Sequence, residues 1–416
     1  MRQAAPLLAR SLYIIFDDDI YIKRQLDAPS SAPHACRHQP TDEPRPAMRA
    51  FVLDPLLSGS AALRLQTSRP TPPLGPRDVL VRVRAASLNH RDLEVADRSR
   101  VYPGKHAIVP LSDAAGEIVE LGREVRQLHL GQRVVNTFYP DWTGQHATAD
   151  NTRRTFGSDS DGVLSEFAVF CENALLPLPE QLSFEEAATL PCAGVAAWHA
   201  LMENTPLRPG DHVAILGTGG VAMMALQLAK AVGARVAVLA QSDDQLCYAY
   251  HTGADHTLNA QRTPQWDAAL RDWTHGRGVD HVLDLSGETL AQSIKAARVG
   301  GQVSLVGVRG KVADFDPSDL LARQIHLHGI SVGSRAMFQS LLSALSANRI
   351  KPVIEQVYPF DRTPDAITRC GAGVTSENWW WPCNATPLAL APFFKKNRAA
   401  FRPRSLRNKS QRIAKE

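Results

Sequence analysis

No apolar run in the 416-residue chain reaches the roughly 18 residues that suggest a membrane span. Neither sign of charge dominates, because 46 Lys and Arg stand against 42 Asp and Glu for a net charge of +4. Much of that small excess lies between Lys395 and Lys415, so neither a nucleic-acid partner nor a membrane surface is expected. The six cysteines (Cys36, Cys171, Cys192, Cys247, Cys370 and Cys383) form no C-x-x-C pair and no regular spacing. That pattern argues against a disulfide framework and fits thiols in a reducing cytoplasm. With 44% hydrophobic and 21% charged residues, the composition is that of a globular protein long enough for two cores.

The most informative segment present is His212-Val213-Ala214-Ile215-Leu216-Gly217-Thr218-Gly219-Gly220-Val221-Ala222. A short apolar run ends in clustered glycines and opens into a helical pattern, the order expected of a dinucleotide phosphate site. Glycine permits a tight turn and close backbone approach, while the free N–H groups of a first helical turn favour a pyrophosphate. The match is Gly217-x-Gly219-x-x-Ala222, with Ala at the third small position. Val221, Met224, Ala225, Leu228 and Val232 then fall on one helical face, and Gly233 is a natural stop. Arg235 to Ala240 reads as the next buried strand, which completes a βαβ unit.

The rest of the chain divides in two. Met48 to Leu53, Val79 to Ala86, Ala115 to Leu121 and Gln132 to Asn136 read as short strands between turns, with the second half-exposed because apolar and basic residues alternate. From about Phe184 helical and strand patterns alternate: Glu185 to Leu190, Val195 to Met202, the glycine unit, His281 to Leu285, Gln302 to Val306 and Ile325 to Ser331. The expected fold is therefore α/β, a doubly wound parallel sheet of Rossmann type plus a β-rich domain. Asp141 to Asp161 is polar and reads as an exposed loop on the substrate side.

Both ends differ from the middle. Leu12-Tyr13-Ile14-Ile15-Phe16 is too short, and too acidic on its flank, for a secretory signal. Residues 1–47 are accordingly read as a non-native or disordered extension, with Met48 a candidate start. Beyond residue 368 the pattern degenerates into Trp379-Trp380-Trp381-Pro382 and an arginine-rich tail. If the Gly373 codon ends in G, the codons for Val374 to Pro382 can be read one base earlier as Gly-His-Phe-Gly-Lys-Leu-Val-Val-Ala, a turn and a β-strand. Residues 369–416 are accordingly read as a frame-shifted, disordered tail.

The β-rich half followed by a late dinucleotide unit resembles the medium-chain dehydrogenase/reductase superfamily, especially its zinc-independent quinone oxidoreductase-like and alcohol dehydrogenase-like branch. The residues that carry the resemblance are Ser87-Leu88-Asn89-His90-Arg91-Asp92-Leu93, Ala188 to Trp198 and Gly217 to Ala222. It implies a GroES-like catalytic domain over 48–175, a Rossmann NAD(P)-binding domain over 176–315 and a return segment over 316–368. It also implies a small-molecule substrate and a possible homodimer, while the cytoplasmic location is expected from the cysteines alone.

In zinc members the three ligand positions correspond here to Asn89, to Leu111-Ser112-Asp113 and to Cys192, so only one matches and no metal is expected. Arg91 and Asp92 are expected to pair with each other or with neighbours. Without a metal, Asn89 could polarise an acceptor oxygen and His90 could supply or relay a proton; a turn residue and a structural imidazole are the competing readings. Gly217, Thr218, Gly219, Gly220, Val221 and Ala222 are the pyrophosphate candidates, with Val306 and Gly307 placed near the nicotinamide by resemblance. Ala240 stands where NAD enzymes often carry an acid, and Ser242 offers a neutral hydrogen bond, which favours NADP while NAD stays possible. The expected activity is hydride transfer between nicotinamide and a quinone, an enone or an aldehyde/alcohol pair. The competing class is a non-catalytic NADP(H)-binding redox sensor or structural protein.

Overall fold

The computed structural model describes residues 12–15, 47–97, 107–144, 146–308 and 315–371. Its strands in chain order are β1 (Leu12–Ile15), β2 (Met48–Leu53), β3 (Leu63–Arg69), β4 (Asp78–Leu88), β5 (Asp113–Leu121), β6 (Arg133–Asn136), β7 (Phe167–Cys171) and β8 (Leu175–Pro177). There follow β9 (His212–Leu216), β10 (Arg235–Ala240), β11 (His256–Asn259), β12 (Val279–Asp284), β13 (Ala297–Leu305), β14 (His326–Gly329) and β15 (Gln356–Pro359). No helix among the described residues is long and apolar enough to cross a membrane.

Strands β9 to β14 form a six-stranded parallel sheet in the order β11-β10-β9-β12-β13-β14. The order reverses beside β9, and this switch point opens a crevice at the carboxyl ends of β9 and β12. Val213, Ala214 and Ile215 are completely buried, as a strand covered on both faces requires. The helix Gly220–Val232 turns Ala222, Met224, Ala225 and Leu228 inward and ends at Gly233, whose φ of +93° lies in the left-handed region that suits glycine.

The other large sheet runs β15-β1-β4-β5-β6-β8, with β7 also paired to β4. The alternation expected of β4 holds from Val81 to Ala85, where Arg82 and Arg84 are half-buried between buried apolar residues, while Leu80 and Ala86 on either side are buried as well. Both of its edges are paired, by β5 along one side and by β7 and β1 in succession along the other. Arg84 is taken in by neighbours: its guanidinium lies 5.7 Å from the Phe184 ring centre and 3.6 Å from Glu117.

Two domain limits shift. Leu12–Ile15 is a strand inside the catalytic-side sheet, and Ile14 is fully buried there, so the reading of 1–47 as a disordered extension fails for these four residues. The rest of that extension lies outside the described residues apart from Ala47, as does almost all of the tail read as frame-shifted, beyond Gly371. The return to the first sheet comes later than residue 316, because β14 still belongs to the parallel sheet and β15 is the first strand back. Helix Arg335–Asn348 likewise packs its Phe338, Leu341 and Leu345 into the core around helix Gly220–Val232.

The β4–β5 contact is unusually close at Gly116, which pairs with Val83. A Cβ there would lie 2.0 Å from the Arg82 carbonyl oxygen, which is backbone and cannot rotate away. Gly116→Ala is therefore expected to cost roughly 1–3 kcal/mol or more of stability, read by denaturant unfolding; an unchanged midpoint would show that the two strands can separate locally at no cost.

Candidate active site

The glycine turn lies at the carboxyl end of β9, at the switch point of the parallel sheet. Gly217 has φ +123° and donates its N–H to the Leu239 carbonyl at 2.7 Å, which bends the chain sharply away from the strand. Thr218 follows, only 5% exposed, and its hydroxyl has no hydrogen-bond partner among the described residues. Gly219 caps the helix Gly220–Val232, so the first-turn N–H groups of Gly220, Val221 and Ala222 point toward the crevice with no partner within the helix. A buried orphan hydroxyl beside open helical N–H groups fits a phosphate-bearing ligand.

The opposite wall comes from β12 and β13. Asp284 ends β12 and accepts hydrogen bonds from the Ser286 and Gly287 N–H groups and the Ser293 hydroxyl, which builds the turn beside the crevice. Val306 follows β13 and donates its N–H to the Asp284 carbonyl at 2.9 Å. A Cβ on Gly307 would sit 2.6 Å from the Leu285 carbonyl oxygen, so this position admits little but glycine. Ser242, expected at the ribose, is the cap of helix Asp243–Thr252, where its hydroxyl accepts from the Gln245 N–H at 3.5 Å. Next to it, Asp243 is held by Asn259 at 2.8 Å and Arg262 at 2.7 Å.

On the catalytic side, Asn89 stands at the N-cap of helix His90–Ala96, which the Asp92 side chain closes by accepting the Asn89 N–H at 2.7 Å. His90 Nε2 is 3.8 Å from Glu94, one helical turn on. Arg91 does not hydrogen-bond Asp92. It reaches instead to the Phe156 carbonyl, Thr155 and Ser158, each at 3.0 Å, and lies over the Phe138 ring. The segment 141–161 is consequently less exposed than its polarity suggests, with Trp142, Thr155 and Phe156 buried.

Asp113 is the centre of the arrangement and is completely buried. One oxygen accepts from the Ser112 hydroxyl at 2.6 Å, and the other accepts the Cys192 N–H at 2.8 Å. The Asn89 amide faces the same carboxylate and helps to keep it ionised, although its Nδ2 makes no hydrogen bond of standard geometry among the described residues. Burial pushes the Asp113 carboxyl up to about 6, against the opposing hydrogen bonds and the Arg91 charge. Burial likewise pushes Asp92 up to about 7; Arg91 and the Asn89 N–H oppose the shift, while Asp113 and Glu94 add to it.

Through Cys192 this cluster reaches the cofactor half. The helical run Leu190–Gly194, Val195–Trp198 and His199–Glu203 packs beside helix Gly220–Val232. Gln302 on β13 donates to the Ala200 carbonyl at 2.8 Å and ties the run to the parallel sheet. The structure thus brings Asn89 and Asp113 against the run that adjoins the glycine turn. Asp113 and Arg262 were missed by sequence reasoning. Asp113 appeared only as part of a failed ligand motif, and Arg262 carries no local signal, because its contact with Asp243 spans a helix and a strand.

Comparison with known proteins agrees with this geometry. The alcohol dehydrogenase GroES-like domain family matches residues 75–180, and the zinc-binding dehydrogenase family matches 220–347. A zinc-type alcohol dehydrogenase-like protein of Schizosaccharomyces pombe is 37% identical over 324 residues, covering 76% of this chain and 94% of that protein. A quinone oxidoreductase of Rattus norvegicus is 29% identical over 330 residues, covering 77% and 92% respectively. The crystal structure of a putative alcohol dehydrogenase from Sinorhizobium meliloti superposes with a TM-score of 0.74 at 36% identity, covering 79% of this chain and 97% of that one. With the order of sheets, the glycine turn at the switch point and these matches together, the chain belongs to the medium-chain dehydrogenase/reductase superfamily, whose members are NAD(P)-dependent oxidoreductases.

Proposed function

We propose that the chain is a zinc-independent, NADP-preferring oxidoreductase that transfers hydride between the nicotinamide and a quinone, an enone or an aldehyde/alcohol pair. The observation that carries this reading is the Asp113 clamp, which holds the Asn89 segment against the run leading to the glycine turn. A bound nicotinamide dinucleotide would supply the hydride chemistry, and the protein's part is to position the acceptor and manage a proton.

The donor set does not fit a catalytic zinc. Asn89 and Ser112 offer a neutral amide and a hydroxyl where thiolate, imidazole or carboxylate ligands are needed. The Ser112 hydroxyl is spent on Asp113, and both Asp113 oxygens already accept hydrogen bonds. No step is therefore assigned to a metal. Asn89 is the group we assign to the acceptor oxygen, since its amide has donor capacity left. His90, oriented beside Glu94, is the proton relay.

Thr218 and the N–H groups from Gly219 to Ala222 would hold the pyrophosphate, with Val306 and Gly307 along the nicotinamide. For the adenosine end, Ala240 contributes no negative charge, and Arg262 makes a solvent-exposed ion pair with Asp243, the residue that follows Ser242. Exposed ion pairs are worth about 0–1 kcal/mol, so a 2′-phosphate can recruit this guanidinium at little cost.

Asn89→Ala is expected to lower kcat with quinones, enones or aldehydes by roughly 100-fold, the scale of a lost oxyanion donor, with the dissociation constant for NADPH unchanged. Equal turnover in the variant eliminates the role, and binding without turnover across all three substrate classes in the unmodified protein points to the non-catalytic reading. Arg262→Ala should weaken NADPH by about tenfold and NADH hardly at all in a fluorescence titration; tighter NADH than NADPH in the unmodified chain would overturn the cofactor preference.

The buried acids give a third expectation. Asp92 and Asp113 hold their protons more tightly folded than unfolded, so their contribution to stability is full below about pH 4 and is lost as pH rises through about 6 and 7. The melting temperature should fall between pH 5 and pH 8. Asp92→Asn, which can still accept the Asn89 N–H, should flatten that fall by an amount on the order of 2 kcal/mol, whereas parallel melting curves for the two proteins would show that Asp92 titrates normally.

A further inference from the structure

The long strand β4 divides one of its edges between two partners. β7 pairs with Asp78 to Arg82 and stops, and β1 takes over at Ala85 to Leu88. On its far side β1 runs parallel to β15, from Gln356 to Pro359. β15 has no other strand neighbour among the described residues, and a strand of four residues has little stability by itself. Ile14, fully buried, shares a core with Leu88, Tyr358, Phe360 and Ala366.

This position bears on the candidate site. Leu12 and Tyr13 pair with Leu88 and Ser87, the two residues that lead directly into Asn89. Helix Thr363–Gly371 packs against both β1 and helix His90–Ala96. The slot between β4 and β15 demands little of its occupant beyond extended backbone for the ladder and an apolar side chain directed at the core. Those are the requirements of strand addition to a sheet edge.

Helix Thr363–Gly371 also packs against β15, and its last residue, Gly371, lies beside Leu93. Three residues later, at Val374, begins the stretch that can be back-translated and read one base earlier as Gly-His-Phe-Gly-Lys-Leu-Val-Val-Ala. That sequence is a turn followed by a β-prone apolar run matching the slot in length and character.

We propose that the space between β4 and β15 is a strand-acceptor site, that Leu12–Ile15 occupies it in cis and thereby positions the Asn89–His90 segment, and that an extended apolar peptide of the Lys-Leu-Val-Val kind competes for it. The site is defined by backbone pairing and stands whether or not Asn89 and His90 carry chemistry.

The test uses the full chain, its Ile14→Asp variant and a fluorescently labelled Gly-His-Phe-Gly-Lys-Leu-Val-Val-Ala peptide with a scrambled control. In the variant, amide hydrogen exchange should accelerate at least tenfold at residues 85–88, 356–359 and 90–96. The variant should bind the peptide at least tenfold more tightly than the unmodified chain, and peptide binding should restore protection at those residues. The scrambled peptide should do neither. Should Ile14→Asp fail to fold, Ile14→Ala provides the same comparison with a smaller opening. Unchanged exchange at 85–88 and 356–359 in a folded variant would overturn the placement of the strand, and equal peptide binding by variant and unmodified chain would overturn the acceptor site.

Discussion

The arrangement depends most on the hydrogen bond between the Asp113 carboxylate and the Cys192 N–H. Asp113 opens β5 in one sheet, and Cys192 lies in the helical run that packs against the cofactor half. An ionised carboxylate in a dry interior is costly unless its lone pairs are filled, and here a hydroxyl, a backbone N–H and a neighbouring amide attend it. Any displacement of Cys192 would strip a partner from a buried acid. The penalty for that loss makes the relation between the halves stiff, which hydride transfer needs because it tolerates little error in the distance between donor and acceptor.

The parts legible in the sequence are those fixed by neighbours along the chain. Strand β9, the glycine turn and helix Gly220–Val232 could be read because periodicity, small residues and a terminal glycine all act within one unit, and Gly233 does take the left-handed conformation expected of it. The parts not legible depend on distant partners. Alternation of apolar and basic residues in β4 is kept, with Arg82 and Arg84 half-buried, but Phe184 and Glu117, the aromatic and acidic partners that take in Arg84, lie far along the chain. Leu12–Ile15 offers only four residues of pattern, and what makes them a strand is a gap between β4 and β15, hundreds of residues apart.

The same distinction runs through the candidate site. Asn89 and His90 stood out because a motif surrounded them, and Asp92 and Glu94 within it stand against them, but Asp113, which the Asn89 amide faces, comes from another strand. Arg91 illustrates the point: its sequence neighbour Asp92 was the obvious partner, and the guanidinium instead fans out over Thr155, Phe156 and Ser158. One planar cation thereby pins a loop that composition marks as solvent-exposed. Asp92, released from that pairing, closes the helix by accepting the Asn89 N–H and keeps its carboxyl close to neutrality.

A site with two buried acids near neutrality and no good ligand set for a metal differs in kind from one organised by a cation. A divalent ion would hold nearby carboxyls ionised and polarise an acceptor oxygen directly. Here protons do part of that balancing, since burial raises both carboxyls and the Asp113 charge adds to the rise at Asp92. The electrostatic state of the Asn89 segment is then tied to pH and to whatever displaces water above it. In the proposed reading the donor offered to a substrate is the Asn89 amide, whose strength does not vary with ionisation, so polarisation of the acceptor would persist across the range in which the supporting acids titrate. On that proposal selectivity would rest on the walls, where Arg91 fixes the loop carrying Thr155 and Phe156.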